Sequence, residues 1–176
     1  MPRHRLAALF EPRSVLVLAD HALPLEQSTP SWLQGSVLFA KVGAGEPIAL
    51  PDGLPKRHEQ RLDLAVICLD SDRLPEALEA LKPHRPRGLL VLPHEQAAAN
   101  PLEDMVYCRS WGKLNDCAVL GPRSFGVQRP HLGLNLSHQP KMALGGRVAL
   151  VAQSRSITAA VLDWADDISL GFSTVV

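Results

Sequence analysis

The stretch SVLVLADHALPLEQ, residues 14–27, decides how the rest of the chain is read. Val15 to Ala19 is an unbroken apolar run, stopped by Asp20. A strand with one wet face alternates apolar and polar residues; a strand covered on both faces does not. The run therefore predicts a buried strand of a parallel sheet. Asp20 marks the strand end at which open sheets of this kind carry their ligands. A phosphate-binding turn there is built from glycines, since a residue without Cβ lets backbone amides close on the anion. Here no glycine occurs before Gly35.

Working outward, similar runs recur at 36–42 (SVLFAKV), 62–70 (LDLAVICLD), 88–94 (GLLVLPH), 117–122 (CAVLGP) and 147–154 (RVALVAQS). Helical patterns lie between them. Ser71 or Asp72 reads as the cap of a helix with Leu74, Ala77, Leu78 and Leu81 on one face and Pro83 near its end. Residues 100–116 open with Asn100 at a cap position and Pro101 in the first turn. Residues 156–170 place Ile157, Ala160, Val161, Trp164 and Ile168 on one face, expected to pack inward. Strand–helix alternation of this kind means an α/β fold with right-handed crossovers.

Residues 43–61 are rich in Gly, Pro and charge and read as loop, with Ile48–Leu50 as a short extra strand. Residues 123–146 read as a long polar connection. A connection of that length suggests a domain boundary, placed near 140–146. Past that boundary come a strand, a helix and the start of another strand at GFSTVV, the opening of a second α/β unit. About 30 residues do not bury a core alone, so the expectation is a fragment of a longer protein.

Composition narrows the function. The chain has 176 residues, 46% of them hydrophobic, and a formal net charge of zero. That balance gives no electrostatic case for nucleic acid or an anionic membrane. No apolar run approaches the roughly 18 residues of a membrane span. The apolar run Leu6 to Phe10 is too short for a secretory signal, so a cytoplasmic protein is expected. Cys68, Cys108 and Cys117 form no close pair; Cys68 and Cys117 read as buried thiols. The seven histidines, at 4, 21, 58, 84, 94, 131 and 138, show no metal-ligand spacing, and no metal site is expected. GAGE (43–46) is too short for a phosphate loop, and no GxSxG turn occurs.

Four stretches together carry a family resemblance: LAALFEPRSVLVL (6–18), DLAVICLDSDRLPEALEAL (63–81), VLGPRSFGVQRPHLGLNLS (119–137) and GRVALVAQSRSITAAVLDWA (146–165). They resemble the NDP-forming acyl-CoA synthetases, which include the succinyl-CoA synthetase α-subunit. The likeness is greatest to the synthetase-like N-terminal region of bacterial GNAT-type protein lysine acetyltransferases. The resemblance implies a Rossmann-like, CoA-binding domain over 1–140 and the first part of a flavodoxin-like domain over 146–176. It also implies that an ATP-grasp segment, a GNAT domain and the family's phosphorylated histidine lie beyond Val176. ATP would bind only through such outside segments.

The chain departs from that family at its polar loops. Where the family has a Gly/Ser-rich turn after the first strand, this chain has Leu18, Ala19, Asp20, His21 and Ala22. A GPNCLG-like stretch reads Gly121, Pro122, Arg123, Ser124, Phe125, Gly126, and a QSG-like turn reads Gln153, Ser154, Arg155. Asp20 would set a carboxylate beside a pyrophosphate, and in a cleft that repulsion is poorly screened. His21, Arg123 and Arg155 could instead donate to phosphate. The candidate ligand contacts are Asp20, His21, Lys41, Ser71, Asp72, Arg123, Ser124, Ser154 and Arg155, with no catalytic residue among them. The leading expectation is a CoA- or acetyl-CoA-binding region with a weakened site, regulatory within a GNAT-type acetyltransferase. Two alternatives stay open: a scaffold or oligomerisation module that binds no ligand, and a fragment of an active NDP-forming synthetase.

Overall fold

The computed structural model describes residues 4–27, 29–43, 45–54, 61–94 and 100–176. Ala44 of the GAGE stretch, His58 and the rest of 55–60 lie outside them. Five strands form a parallel sheet: β1 (Val15–Ala19), β2 (Val37–Lys41), β3 (Leu64–Cys68), β4 (Gly88–Val91) and β5 (Ala118–Leu120), in the order β2-β1-β3-β4-β5. The expected α/β, Rossmann-like architecture is what the chain adopts.

The unbroken apolar runs are explained by what covers each face. Leu16 and Leu18 of β1, with Ala65 and Ile67 of β3, point to one side. There they meet Leu74, Ala77, Leu78 and Leu81 of α3 (Leu74–Leu81) and Cys108 and Trp111 of α4 (Pro101–Leu114). Val15, Val17 and Ala19, with Leu64, Val66 and Cys68, point to the other side. That side is covered by Leu9 and Leu25, from the short helices α1 (Ala7–Phe10) and α2 (Pro24–Gln27), and by Val127, Leu134 and Leu136.

Those last three residues belong to strands inside the segment expected to be a polar connection. β6 (Gly126–Arg129) and β7 (Leu134–Ser137) form an antiparallel hairpin over 126–137. The hairpin turns through Pro130–Leu132 and Gly133, whose φ of 65° is left-handed. β6 also pairs antiparallel with β9 (Phe172–Val175), which runs parallel to β8 (Gly145–Leu150) through the helix α5 (Arg155–Asp167). The second sheet, in the order β7-β6-β9-β8, thus takes strands from both sides of 140–146, and β8 lies at its rim.

The hairpin escapes a polarity reading because its polar residues are buried together. Gln128 is fully buried, and Asn135 and Ser137 nearly so. The Gln128 amide donates to Ser137 Oγ (3.2 Å) and to the Lys141 carbonyl (3.2 Å), and its Oε1 accepts from the Ala143 amide (2.9 Å). Ser137 Oγ in turn donates to Asn135 Oδ1 (2.7 Å). Gln128→Ala leaves the Ala143 N–H and the Lys141 carbonyl without this partner. Each orphaned group costs about 1–3 kcal/mol, so a loss of that size is expected in urea denaturation. A loss within about 0.5 kcal/mol would show that the amide is dispensable.

Two local expectations need correction. Ile48–Leu50 is not a strand: Ile48 and Leu50 pack against the core from a loop, whose Ile48 amide donates to Glu76 Oε1 (2.8 Å). The helix after β3 is entered through a 3-10 turn at Ser71–Arg73, with no side-chain cap on α3. Ser71 is occupied elsewhere, donating to Asp104 Oδ2 at 2.6 Å. Asn100 does cap α4, accepting from the Glu103 amide at 3.3 Å. Among the described residues no helix is long and apolar enough to cross a membrane.

Candidate functional site

The strand order fixes where a site can form. From β1 the chain goes to β2 on one side, then crosses back to β3 on the other. A crevice opens where such an order reverses, at the carboxyl ends of the strands. Here that point lies between β1 and β3, and residues just past β1, β3 and β4 converge on it.

Asp20, after β1, stands at the centre. Its Oδ1 accepts from His21 Nδ1 at 2.6 Å and its Oδ2 from His94 Nε2 at 2.7 Å. His94 follows β4, and its Nδ1 donates to Asp70 Oδ1, after β3, at 2.7 Å. Carboxylate oxygens only accept, so each of these contacts is a ring N–H donating. A continuous chain of bonds, Asp70–His94–Asp20–His21, thereby spans the crevice. Partial burial raises the Asp20 pKa, but the hydrogen bonds and charges of His21 and His94 outweigh it and hold the carboxyl below its ordinary value.

A second group adjoins this chain from the β7 side. The His138 ring stacks near that of His21, with centroids 5.7 Å apart and planes 18° apart. His138 Nε2 lies 2.8 Å from the Pro93 carbonyl and 3.4 Å from Cys68 Sγ. Cys68 Sγ is 3.9 Å from His21 Nε2. Burial is the main cause that lowers the His138 pKa, with the charges of His21, Arg155 and His94 adding to it. Cys68 is therefore more than a small hydrophobe: it is buried in the apolar layer and its sulfur faces two imidazoles.

The sequence-expected residues divide accordingly. Asp20 and His21 lie in the crevice, and Arg155, first residue of α5, is close enough for its charge to act on His138. Lys41 is exposed at the end of β2, in a pocket shared with Val17, His21, Glu26 and Phe39. Arg123 is exposed, with a left-handed φ of 63°. Ser124 Oγ accepts from the Gly126 amide and Ser154 Oγ from the Ile157 amide, both shaping turns. Asp72 is exposed beside Ser71. Sequence reasoning missed Cys68, Asp70, His94 and His138 as crevice residues. Their shared signal is position: the first three end or follow parallel strands, whose carboxyl ends meet in space.

The other two thiols are inert by comparison. Burial, with the Asp104 charge adding to it, pushes Cys108 up to about 12. Burial pushes Cys117 to about 12 as well, against the charges of Arg61 and Arg5. Near pH 8 such thiols carry about a thousandfold less thiolate than a free cysteine. Cys108 and Cys117 are expected to resist iodoacetamide in the native chain and to label fully in urea, read by mass spectrometry. Rapid native labelling of either would contradict this burial.

No family model matches the chain. By sequence it is similar to an ADP-forming acetate–CoA ligase of Methanocaldococcus jannaschii, 26% identical over 118 residues. That match covers 67% of this chain and 17% of the relative. It is also similar to the α-subunit of ADP-forming acetate–CoA ligase I of Pyrococcus furiosus, 26% identical over 97% of this chain and 40% of the relative. The chain thus spans well under half the length of either. In fold it matches the dinucleotide-forming acetyl-coenzyme A synthetase 1 of Ca. Korarchaeum cryptofilum, solved with phosphate and ADP. The TM-score there is 0.76, with 21% identity over 97% of this chain and 39% of that one. A Pyrococcus horikoshii protein gives a TM-score of 0.71 at 16% identity, over 97% of this chain and 41% of that one.

Proposed function

We infer that this chain is the CoA-side portion of an acyl-CoA synthetase of the ADP-forming kind, with a rebuilt and weakened ligand crevice. The likeness over 97% of the chain to an acetate–CoA ligase α-subunit supports that setting. The named relatives are ligases, so a synthetase fragment is preferred to the GNAT-type acetyltransferase setting. ATP-grasp segments would then act from outside these residues. Division into a Rossmann-like unit, 1–140, and the opening of a flavodoxin-like unit, 146–176, is part of the same reading, as is a cytoplasmic location.

The observation that carries the weakened crevice is the Asp20–His94–Asp70 bridge at the strand-order reversal. A CoA diphosphate seated there meets two carboxylates where amides would serve it. Lys41, Arg123 and Arg155 supply the compensating cationic charge, with His21, Asp72, Ser124 and Ser154 as the remaining contacts and Ser71 joining them only on releasing Asp104. Calorimetric titration with CoA and acetyl-CoA tests this: a Kd of about 100 µM or weaker is expected, at most about 5.5 kcal/mol of binding. A Kd near 1 µM would overturn the weakened site. No heat and no rise in Tm with CoA, acetyl-CoA or ATP would favour the scaffold reading instead.

A further inference from the structure

We propose that His21, Cys68 and His138 form a binding site for a thiophilic divalent transition metal of the zinc class. This stands whether or not the crevice takes CoA. The three residues come from different elements: His21 follows β1, Cys68 ends β3, and His138 follows β7. Their ligand atoms all lie within 4.8 Å of one another.

The spacing matches a coordination shell. With Zn–S near 2.3 Å and Zn–N near 2.0–2.1 Å, the ligand-to-ligand edges of a tetrahedral site are about 3.3–3.6 Å. The two sulfur–nitrogen edges here are 3.4 Å, to His138, and 3.9 Å, to His21. Of these two the second must close, by a few tenths of an ångström; the third edge, between the His21 and His138 nitrogens, lies within 4.8 Å and closes as the metal draws the rings together. One thiolate with two imidazoles suits zinc or copper and disfavours magnesium and calcium, which take oxygen.

The neighbouring trio Asp20, His21 and His94 also gathers three donors. Its contacts of 2.6 and 2.7 Å are hydrogen-bond lengths, too short for edges around a metal. That trio instead supports the first. Asp20 accepts from His21 Nδ1, which leaves Nε2 as the lone-pair nitrogen, directed at Cys68. A carboxylate behind a metal-binding imidazole fixes its tautomer and raises its basicity.

Capture has a definite proton balance. The Cys68 thiol loses its proton to solvent as sulfur binds the metal. His138 gives up the contact of Nε2 with the Pro93 carbonyl and passes to the Nδ1–H tautomer, with no net proton loss. The His21 side chain is 38% exposed, and a water would complete the tetrahedron as the fourth ligand.

The test uses the purified chain with zinc alone, then with cobalt(II) as a spectroscopic probe. One zinc per chain is expected after buffer exchange. Cobalt should give the visible bands of a tetrahedral site and a thiolate-to-cobalt charge-transfer band in the near ultraviolet. Cys68→Ser should abolish the charge-transfer band, and His138→Asn should weaken zinc by more than about 100-fold. Asp20→Asn should weaken it by about 10- to 100-fold, and His131→Asn, at an exposed ring on the Gly146 carbonyl, should leave it unchanged. If Cys68→Ser fails to fold, His21→Asn at its half-exposed position is read in its place and should lose the stoichiometric zinc. Absence of the charge-transfer band in the unmutated chain, or its survival in folded Cys68→Ser, overturns the proposal. So does zinc binding that His21→Asn and His138→Asn both leave intact.

Discussion

Gly126→Ala is expected to lower the stability of this chain by about 3–4 kcal/mol, combining backbone strain with overpacking. Gly126 opens β6 with a φ of 109°, a conformation that L side chains rarely adopt. A Cβ there would lie 2.2 Å from the Leu136 carbonyl oxygen and 2.8 Å from the Ser137 Cα. Both are backbone atoms of the paired strand and have no rotamer to move into. The hairpin must open at the register pair Gly126–Ser137, one residue before His138. Urea denaturation with unchanged m-value gives the loss. A change under about 1 kcal/mol would mean that the close approach of β6 to β7 is wrong.

Leu78→Ala is expected to cost about 2–5 kcal/mol, the usual range for a buried leucine that leaves a cavity. Leu78 has no exposed surface and sits where α3 meets β1 and β3. Ile157→Ser on α5 is its counterpart: an isoleucine on a face that the sequence suggested was buried. Ile157 is 61% exposed, so the change is expected to stay within about 0.5 kcal/mol. Thermal unfolding of both variants gives the comparison, and equal losses would contradict the packing of α5.

That pair shows where a sequence is legible and where it is not. α3 could be read because one apolar stripe meets one apolar sheet. α5 could not: Trp164 and Ile168 are exposed, while Thr158 and Ala165 are buried. Thr158 is accommodated because its hydroxyl donates to the Ser154 carbonyl, a bond that hydropathy does not register. β6 and β7 were hidden in the same way, since Gln128, Asn135 and Ser137 satisfy one another out of water. The parallel sheet was legible because continuous apolar runs have few other uses.

At the candidate site, Asp20 and His21 were found from their place after β1. Their partners were not, because His94 lies 74 residues from Asp20 and His138 lies 70 from Cys68. No local spacing encodes contacts of that range. Only the topology, with β3 lying between β1 and β4 and the hairpin folded over them, brings these side chains together. The departure from a glycine turn was visible in the sequence; the histidine–carboxylate chain that takes its place was not.

β8, at the rim of the second sheet, pairs with β9 on one side, and its other side shows Val148 at 44% exposure, with Val151 just beyond at 77%. Amides and carbonyls along such a border are a template on which a further extended segment can register. An extended segment that registered along residues 145–150 would enlarge the layer through backbone hydrogen bonds, with His131, now on the Gly146 carbonyl, giving way to it.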